Sequence, residues 1–254
     1  MEGKKIGIKG IEWNYLEKGS GKSLLYIHGN TGCSLWWEKV MEVPGYRVIA
    51  PDMPNFGLSS PLPGKISIEA YADAMADFIV ALGLQGAVAV GHSLGGAVCL
   101  SLAARRAELL SGLVLVDSSA PGGLKTPEAY HPAIEAMRLD RAVLAKALGG
   151  VAPIPGDPAF FQRLVDGAAL MAIPAWIGNA VALSSFDVSG KLGGFTKPVL
   201  VIRGANDYLI TDAMARETAA AFPDSKLETL EGLGHSPIVE DPDRFLALLR
   251  SWLG

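Results

Sequence analysis

An uncharged stretch at residues 78–104, with no Asp, Glu, Lys or Arg, constrains the fold of this chain more than any other feature. About 18 or more apolar residues in a row can span a bilayer, so such a stretch is either a membrane span or part of a buried core. His92, Ser93 and several glycines interrupt this one, which favours a core. A second uncharged stretch, residues 167–186, is broken by Pro174 and is interpreted in the same way.

The overall composition is that of a globular protein. Of the 254 residues 50% are hydrophobic and 19% are charged, which excludes a largely disordered chain. The net charge is −4 and no basic block stands out, so we expect neither nucleic acid nor a membrane as a partner. The first residues include two lysines but no apolar segment behind them, and Cys33 and Cys99 have no metal-binding or disulfide spacing. We therefore expect a cytoplasmic protein.

Short β-branched runs alternate with helical patterns along most of the chain, which predicts an α/β fold whose mostly parallel sheet is covered on both faces. The predicted strands are residues 5–9, 12–17, 24–28, 47–52, 87–90, 113–117, 199–203 and 226–230. The predicted helices are residues 67–82, with Ser67 as the N-cap, and residues 94–105, 212–222 and 242–253.

One segment departs from this alternation. Residues 121–191 show helical patterns interrupted by prolines and no convincing strand. They are too many for a single loop between neighbouring strands. The sequence therefore predicts a helical cap at residues 121–191, inserted into a core made of residues 1–120 and 192–254.

Residues 91–95 fit the pattern G-x-S-x-G between a predicted strand and a predicted helix. A sharp turn at this position exposes the hydroxyl of Ser93 at the carboxyl edge of the sheet, and the flanking glycines avoid clashes with the neighbouring elements. The amides at the N-terminus of the helix favour developing negative charge. The pattern predicts that Ser93 is a nucleophile.

A serine nucleophile needs a general base, which a third group orients. His235 lies in a loop between the last strand and the last helix, from which it could reach Ser93, and we predict that it is the base. Asp207 directly follows a predicted strand and is the predicted acid, with Asp117 as its rival. His28 and His92 are interpreted as structural.

Two backbone N–H groups are expected to form an oxyanion hole, because charge develops on the substrate carbonyl during acyl transfer. One is that of Leu94, which follows the nucleophile. The other is that of Asn30, in the glycine-rich loop that begins at His28.

With these motifs together, the chain resembles the α/β-hydrolase superfamily, in the branch of capped serine esterases and lactonases. The resemblance covers the whole core in the order of the family, at residues 27–30, 51–59, 91–96, 204–207 and 234–237. It implies a mostly parallel eight-stranded sheet flanked by helices, with an inserted helical cap. Asn55 stands where the family pattern D-x-x-G-x-G-x-S has its first glycine. Similar dehalogenases and epoxide hydrolases use aspartate where this chain has Ser93, so an alkyl-enzyme is disfavoured.

The expected function is cleavage of a carboxylic ester or lactone of an apolar acyl substrate, acyl-homoserine lactones included, through an acyl-enzyme and without a metal or organic cofactor. An apolar pocket under the cap suits such a substrate. The residues expected to line it are Trp36, Trp37, Leu170, Trp176 and Ile177.

Three alternatives remain open. A carbon–carbon bond hydrolase of vinylogous keto acids would use the same triad with an arginine for the substrate carboxylate, for which the candidates are Arg138, Arg141 and Arg163. A cofactor-free haloperoxidase or perhydrolase would let peroxide replace water. A non-enzymatic, receptor-like role is disfavoured because every triad position is filled.

Overall fold

The sheet of the protein has eight strands in the order β1-β2-β4-β3-β5-β6-β7-β8. The computed structural model describes residues 2–154 and 156–254; Met1 and Pro155, the latter within the predicted cap, lie outside the described residues. The strands are β1 (Lys4–Ile8), β2 (Ile11–Gly19), β3 (Lys22–Ile27), β4 (Tyr46–Pro51), β5 (Ala87–His92), β6 (Leu110–Val116), β7 (Val199–Gly204) and β8 (Ser225–Leu230).

The mostly parallel sheet expected from the sequence is confirmed. Only β2 runs antiparallel to its neighbours, β1 and β4. The pairs from β4 through β3, β5, β6 and β7 to β8 are all parallel. The carboxyl ends of β3 and β5 to β8 therefore meet at one edge, where the loops after them can form a common site.

Four helices of the core follow the predicted positions closely. They are α1 (Ile68–Ala81), α2 (Leu94–Arg105), α7 (Asp212–Ala220) and α9 (Pro242–Leu253), and a short α8 (Pro237–Glu240) precedes α9. The hydroxyl oxygen of Ser67 accepts a hydrogen bond from the Ala70 N–H at 3.1 Å, so Ser67 caps α1 as its sequence position predicts. A 3-10 helix at Ser34–Val40 and the short α8 were not predicted.

The connection between β6 and β7 is helical in its described part and contains no strand there. Its α-helices are α3 (His131–Leu139), α4 (Arg141–Val151), α5 (Pro158–Ala169) and α6 (Ile173–Ser185). We call residues 131–185 the helical segment. Within the helical segment, α3 contacts α4 and α6, and α4 contacts α5. The contact of α5 with the 3-10 helix joins the helical segment to the core.

The two uncharged stretches occupy different places. Residues 78–104 form the end of α1, β5 and nearly all of α2, while residues 167–186 form the end of α5 and all of α6. No single helix of the described chain has both the length and the apolar composition to cross a bilayer. The pair α5–α6, bent by 91°, passes that test of length and composition only when the two helices are taken together.

Candidate active site

Ser93 lies in a sharp turn between the last residue of β5 and the first residue of α2. Its φ is 53° and its ψ is −114°, which is a strained conformation for a residue with a side chain. A Cβ atom at Gly95 would lie 2.1 Å from the carbonyl oxygen of Ile27, so only glycine lets α2 approach β3 this closely. A Cβ at Gly91 would lie 2.6 Å from the Sγ of Cys99. A side chain at either flanking glycine would therefore clash with a neighbouring element, as the sequence pattern predicts.

His235 and Asp207 are directly hydrogen-bonded. The Nδ1 of His235 lies 2.7 Å from the Oδ2 of Asp207, and the two side chains are 5% and 0% exposed. The other carboxylate oxygen accepts the N–H groups of Leu209 at 2.7 Å and Ile210 at 3.1 Å. Burial acts to raise the pKa of Asp207, but the hydrogen bond and charge of His235 outweigh it and lower the pKa. An ionised Asp207 therefore holds the imidazole with Nε2 free for another partner.

Ser93 and His235 line the same cavity, of about 280 Å³, which we call the Ser93 cavity. Its polar lining consists of Asn30, Thr31, His92, Ser93, Thr126 and His235. Its apolar lining consists of Trp36, Leu124, Ile134, Met137, Leu144, Ala147, Leu148, Val151, Ala180, Leu183 and Leu209. No Asp, Glu, Lys or Arg of the described chain belongs to this lining, so the cavity suits an uncharged, largely apolar ligand.

The two histidines interpreted as structural have partners that fix them in the neutral form. His92 donates its Nε2–H to the carbonyl oxygen of His235 at 2.8 Å, and burial, with the charge of His235, lowers the pKa of His92 to about 3. His28 donates from Nδ1 to the carbonyl oxygen of Gly29 at 2.8 Å and accepts the N–H of Met53 at 2.9 Å. Burial lowers the pKa of His28 to about 4. With pKa values this low, both are weak bases.

Asp117, the rival acid, lies beside the His235–Asp207 pair. Carboxylate oxygens of Asp117 and Asp207 and a ring nitrogen of His235 all lie within 4.8 Å of one another. The Oδ1 of Asp117 accepts the N–H of Gly204 at 2.9 Å. Burial and then the neighbouring Asp207 raise the pKa of Asp117 well above its usual range. The raised pKa favours the neutral form of Asp117, and the carboxylate that contacts the imidazole is that of Asp207.

The two backbone groups expected to form an oxyanion hole are available. Leu94 is the first residue of α2, and Asn30 follows β3 and lines the Ser93 cavity. Neither backbone N–H donates a hydrogen bond to another described residue. Amides at a helix N-terminus favour negative charge, so this arrangement can stabilise an oxyanion.

The structure places only one of the five expected pocket residues at the Ser93 cavity. That residue is Trp36, whose ring stacks on the ring of His92 with the centroids 5.7 Å apart. Trp37 instead lies in the core, with its ring centroid 4.6 Å from that of Tyr26. Consecutive side chains of a 3-10 helix point about 120° apart, which is why the two tryptophans face different regions.

The three other expected pocket residues belong to the end of α5 and to α6, and the lining differs from the sequence expectation there too. Leu170 is 53% exposed and borders a separate groove. The indole N–H of Trp176 donates to the carbonyl oxygen of Met171 at 3.2 Å. Trp176 lies one helical turn before Ala180, where α6 reaches the cavity. Ile177 is half-buried and lies outside the cavity lining.

The walls of the cavity come mainly from residues that the sequence did not single out. They lie on α3, α4 and α6, at Ile134, Met137, Leu144, Leu148, Ala180 and Leu183. The spacing of Leu144, Leu148 and Val151 is i, i+4, i+7, which marks one face of a helix. That signal predicts a buried face, but it cannot tell a packed face from one that lines a cavity.

The three arginines considered for a substrate carboxylate are each paired elsewhere. The pairs are Arg138 with Glu135, Arg141 with Asp166, and Arg163 with Glu38. The Arg163 guanidinium is bidentate, at 2.8 and 2.7 Å from the two carboxylate oxygens. None of these arginines lines the Ser93 cavity.

A sequence model of the alpha/beta hydrolase family matches residues 24–248. The chain is 29% identical over 273 residues to a 2-hydroxymuconate semialdehyde hydrolase from Pseudomonas putida, covering 99% of this chain and 94% of that protein. It is 28% identical over 251 residues to a 2-(acetamidomethylene)succinate hydrolase from Mesorhizobium japonicum, covering 91% and 88%.

Solved structures of similar fold cover almost the whole chain. A thermophilic esterase from Thermogutta terrifontis superimposes with a TM-score of 0.84 at 26% identity, covering 100% of this chain and 98% of that one. An enol-lactonase from Burkholderia xenovorans LB400 has a TM-score of 0.87 at 22% identity, covering 98% and 99%. At 22% identity, the likeness to the enol-lactonase is a likeness of fold alone.

Proposed function

The chain belongs to the alpha/beta hydrolase family, and on that basis we propose that it is a serine hydrolase of carboxylic esters or lactones with an apolar acyl part. The helical segment acts as a cap over the Ser93 cavity, and the catalytic residues are Ser93, His235 and Asp207. The proposed reaction passes through an acyl-enzyme.

In the first step, the Oγ of Ser93 attacks the carbonyl carbon while the Nε2 of His235 takes the hydroxyl proton. Asp207 orients the ring and stabilises the imidazolium, and the N–H groups of Asn30 and Leu94 bind the oxyanion. Collapse of the tetrahedral intermediate breaks the bond to the alcohol oxygen, which takes the proton from His235. Water then repeats the sequence on the acyl-enzyme and releases the acid.

The observation that carries this proposal is a cavity lined by a strained serine and by the histidine of a buried His–Asp pair, with no charged residue in its described lining. A carboxylate on the substrate would find no cation there. An uncharged acyl chain would instead contact leucine, isoleucine and methionine side chains of α3, α4 and α6.

A carbon–carbon bond hydrolase of vinylogous keto acids is the second candidate. The 29% identity to a hydrolase of 2-hydroxymuconate semialdehyde favours it. Against it stand the ion pairs of Arg138, Arg141 and Arg163, which keep these side chains away from the Ser93 cavity.

A substrate panel tests the choice, with the Ser93→Ala variant as the blank. It contains p-nitrophenyl esters from acetate to decanoate, acyl lactones and a dienoic keto acid. We expect ester or lactone hydrolysis with a preference for acyl chains longer than acetyl. Turnover of the keto acid alone would contradict the proposal, while faster turnover with peroxide than with water would identify a perhydrolase.

A further inference from the structure

Four polar side chains form a continuous hydrogen-bonded chain that ends at the Ser93 cavity; we call it the amide chain. The Nδ2 of Asn55 donates to the hydroxyl oxygen of Tyr71 at 2.9 Å. The Tyr71 hydroxyl donates to the Oδ1 of Asn179 at 2.8 Å, and the Nδ2 of Asn179 donates to the Oδ1 of Asn30 at 2.9 Å. The first three side chains are buried, and they come from the loop after β4, from α1 and from α6.

The direction of every bond in the amide chain is fixed from one end. The backbone N–H of Leu62 donates to the Oδ1 of Asn55 at 2.9 Å, and a backbone N–H can only donate. The Nδ2 of Asn55 must therefore face Tyr71. Because the Tyr71 oxygen accepts that bond, its own proton goes to Asn179; burial raises the pKa of Tyr71, so the hydroxyl keeps its proton. Asn179 is left to present its Nδ2 to Asn30.

The consequence falls on the last member of the chain. The Oδ1 of Asn30 is occupied, so its Nδ2 points elsewhere. This nitrogen donates no hydrogen bond to a described residue and is not among the buried atoms that lack a partner, so it is accessible. Asn30 lines the Ser93 cavity. The amide chain thus fixes the Oδ1 of Asn30 on Asn179 and leaves an accessible N–H donor on a residue that lines the same cavity as Ser93.

The start of the chain is the position at which this sequence departs from the pattern of its family. Asn55 has a φ of 77°, a region that glycine adopts freely and that asparagine tolerates better than most residues. A glycine there could form the turn, but it has no side chain to join Leu62 to Tyr71. The departure exchanges some backbone freedom for the first link of the amide chain.

We propose that the side-chain amide of Asn30 is a substrate-binding group that donates a hydrogen bond to an oxygen of the scissile ester or lactone. Tyr71 and Asn179 are positioning residues that hold this donor in place. The inference rests on the proposed function, and it is separate from the role of the Asn30 backbone N–H. The bond from Asn179 on α6 to Asn30 also joins the helical segment to the glycine-rich loop that begins at His28.

A double-mutant cycle with a p-nitrophenyl ester tests this proposal. Asn30→Ala removes the donor and keeps the backbone N–H, and we expect kcat/KM to fall roughly 10- to 100-fold, somewhat less than for a main oxyanion donor. Tyr71→Phe removes one hydroxyl from a residue outside the cavity lining, and we expect a fall of roughly 3- to 10-fold. In the Asn30→Ala background, Tyr71→Phe should have no further effect, because it acts only through Asn30.

The matched control is Tyr26→Phe. Tyr26 is equally buried and donates one hydrogen bond, to the carbonyl oxygen of Val40 at 3.2 Å, and neither residue belongs to the cavity lining. Its kcat/KM should match the wild type. Rates are referred to active sites titrated with a fluorophosphonate, since a merely structural role for Tyr71 would lower the number of titratable sites and not the rate per site.

Two outcomes overturn the proposal while leaving the proposed function intact. One is an unchanged rate per site in Tyr71→Phe, and the other is an equal loss in the wild-type and Asn30→Ala backgrounds. If the wild type cleaves no ester or lactone, the same cycle is measured on the rate at which a fluorophosphonate reacts with Ser93, because its P=O oxygen accepts the same bonds. A wild type that neither hydrolyses nor reacts overturns both proposals.

Discussion

The two uncharged stretches share the absence of Asp, Glu, Lys and Arg, yet most of their residues have different surroundings. Residues 87–103 of the first stretch pass through the middle of the molecule, where β5 has neighbours on both sides and α2 is buried from Leu94 to Ala103, whereas Val80, at the end of α1, is 48% exposed. Residues 167–186 form the end of α5 and all of α6, where Ile173 is 69% exposed and Val181 is 49% exposed. Absence of charge therefore predicts complete burial only where the fold covers a segment on every side.

The two stretches also contribute to the site in different ways. The first presents Ser93 through a backbone turn that the local glycines determine. The second contributes Ala180 and Leu183 as parts of a wall, and Asn179 as a polar contact, and all three depend on how α6 is placed in the fold. One role is local in sequence and the other is tertiary.

The largest expected effect is a loss of activity confined to one serine of the first stretch. Ser93→Ala should lower kcat/KM for ester hydrolysis by roughly 10⁴-fold or more, because nothing else can form the acyl-enzyme. Ser101, in the same stretch, is fully buried and its hydroxyl has no hydrogen-bond partner, so Ser101→Ala should stay within about twofold of the wild type. Steady-state kinetics on both variants provides the measurement. More than 1% residual activity in Ser93→Ala would remove the distinction.

Glycine substitutions compare the packing of the two stretches. A Cβ at Gly95 meets a backbone oxygen at 2.1 Å, so Gly95→Ala should cost about 3 kcal/mol or more in the free energy of unfolding. A Cβ at Gly178 meets the end of the Ile66 side chain at 2.9 Å, which can move aside. Gly178→Ala should cost less than about 1 kcal/mol, since alanine also favours the helix. Urea unfolding measures both, and equal costs would contradict the contrast.

Neighbouring substitutions on α6 test which face of the second stretch meets the substrate. Ala180 lines the Ser93 cavity, so Ala180→Phe should fill part of it. The kcat/KM for p-nitrophenyl octanoate should fall roughly 10- to 100-fold, with acetate changed by less than about threefold. Val181→Phe, on the exposed side, should leave both rates unchanged. A similar loss for both esters in Ala180→Phe would mean that the acyl chain lies elsewhere.

The smallest expected effect concerns Asp117 and Asp207, the two buried carboxyl groups near the turn at Ser93 in the first stretch. Asp117 has a raised pKa when folded, so the stability it contributes is present below its unfolded pKa of about 3.9 and is lost as the pH rises through the folded pKa. Asp117→Asn can still accept the N–H of Gly204 and cannot ionise. Relative to the wild type, its gain in unfolding free energy should grow by about 1.4 kcal/mol for each pH unit between about pH 4 and the folded pKa of Asp117.

Urea unfolding at several pH values measures this gain. The depressed pKa of Asp207 has the opposite sign: its contribution is present above its unfolded pKa and is lost as the pH falls. A difference between wild type and Asp117→Asn that stays constant from pH 4 to pH 6 would show that folding does not raise the pKa of Asp117.

Much of the fold was predictable because its signals are local. The predicted bounds of α2 and α9 are those observed, since a glycine-flanked turn precedes one and Pro242 begins the other. The predicted strand at residues 113–117 is observed as β6, which begins earlier, at Leu110. The 3-10 helix at Ser34–Val40 has no comparable signal, because its side chains follow neither the helical nor the strand period.

The candidate site likewise has some features with local sequence signals and others that depend on tertiary packing. The turn at Ser93 and the loops that carry Asp207 and His235 follow strands, so their meeting at one sheet edge could be anticipated. The facing of Trp36 and Trp37 could not, because it depends on the 3-10 helix. The substitution at Asn55 was visible in the sequence, but its connection to Asn30 crosses α1 and α6, and only tertiary packing brings those together.

Covalent labelling with a fluorophosphonate, followed by intact-mass and peptide mass spectrometry, tests whether Ser93 is an activated nucleophile. We expect one adduct per chain, on Ser93, absent in Ser93→Ala and formed far more slowly in His235→Ala. An unlabelled wild-type protein, or an adduct on a different residue that persists in Ser93→Ala, would contradict this expectation.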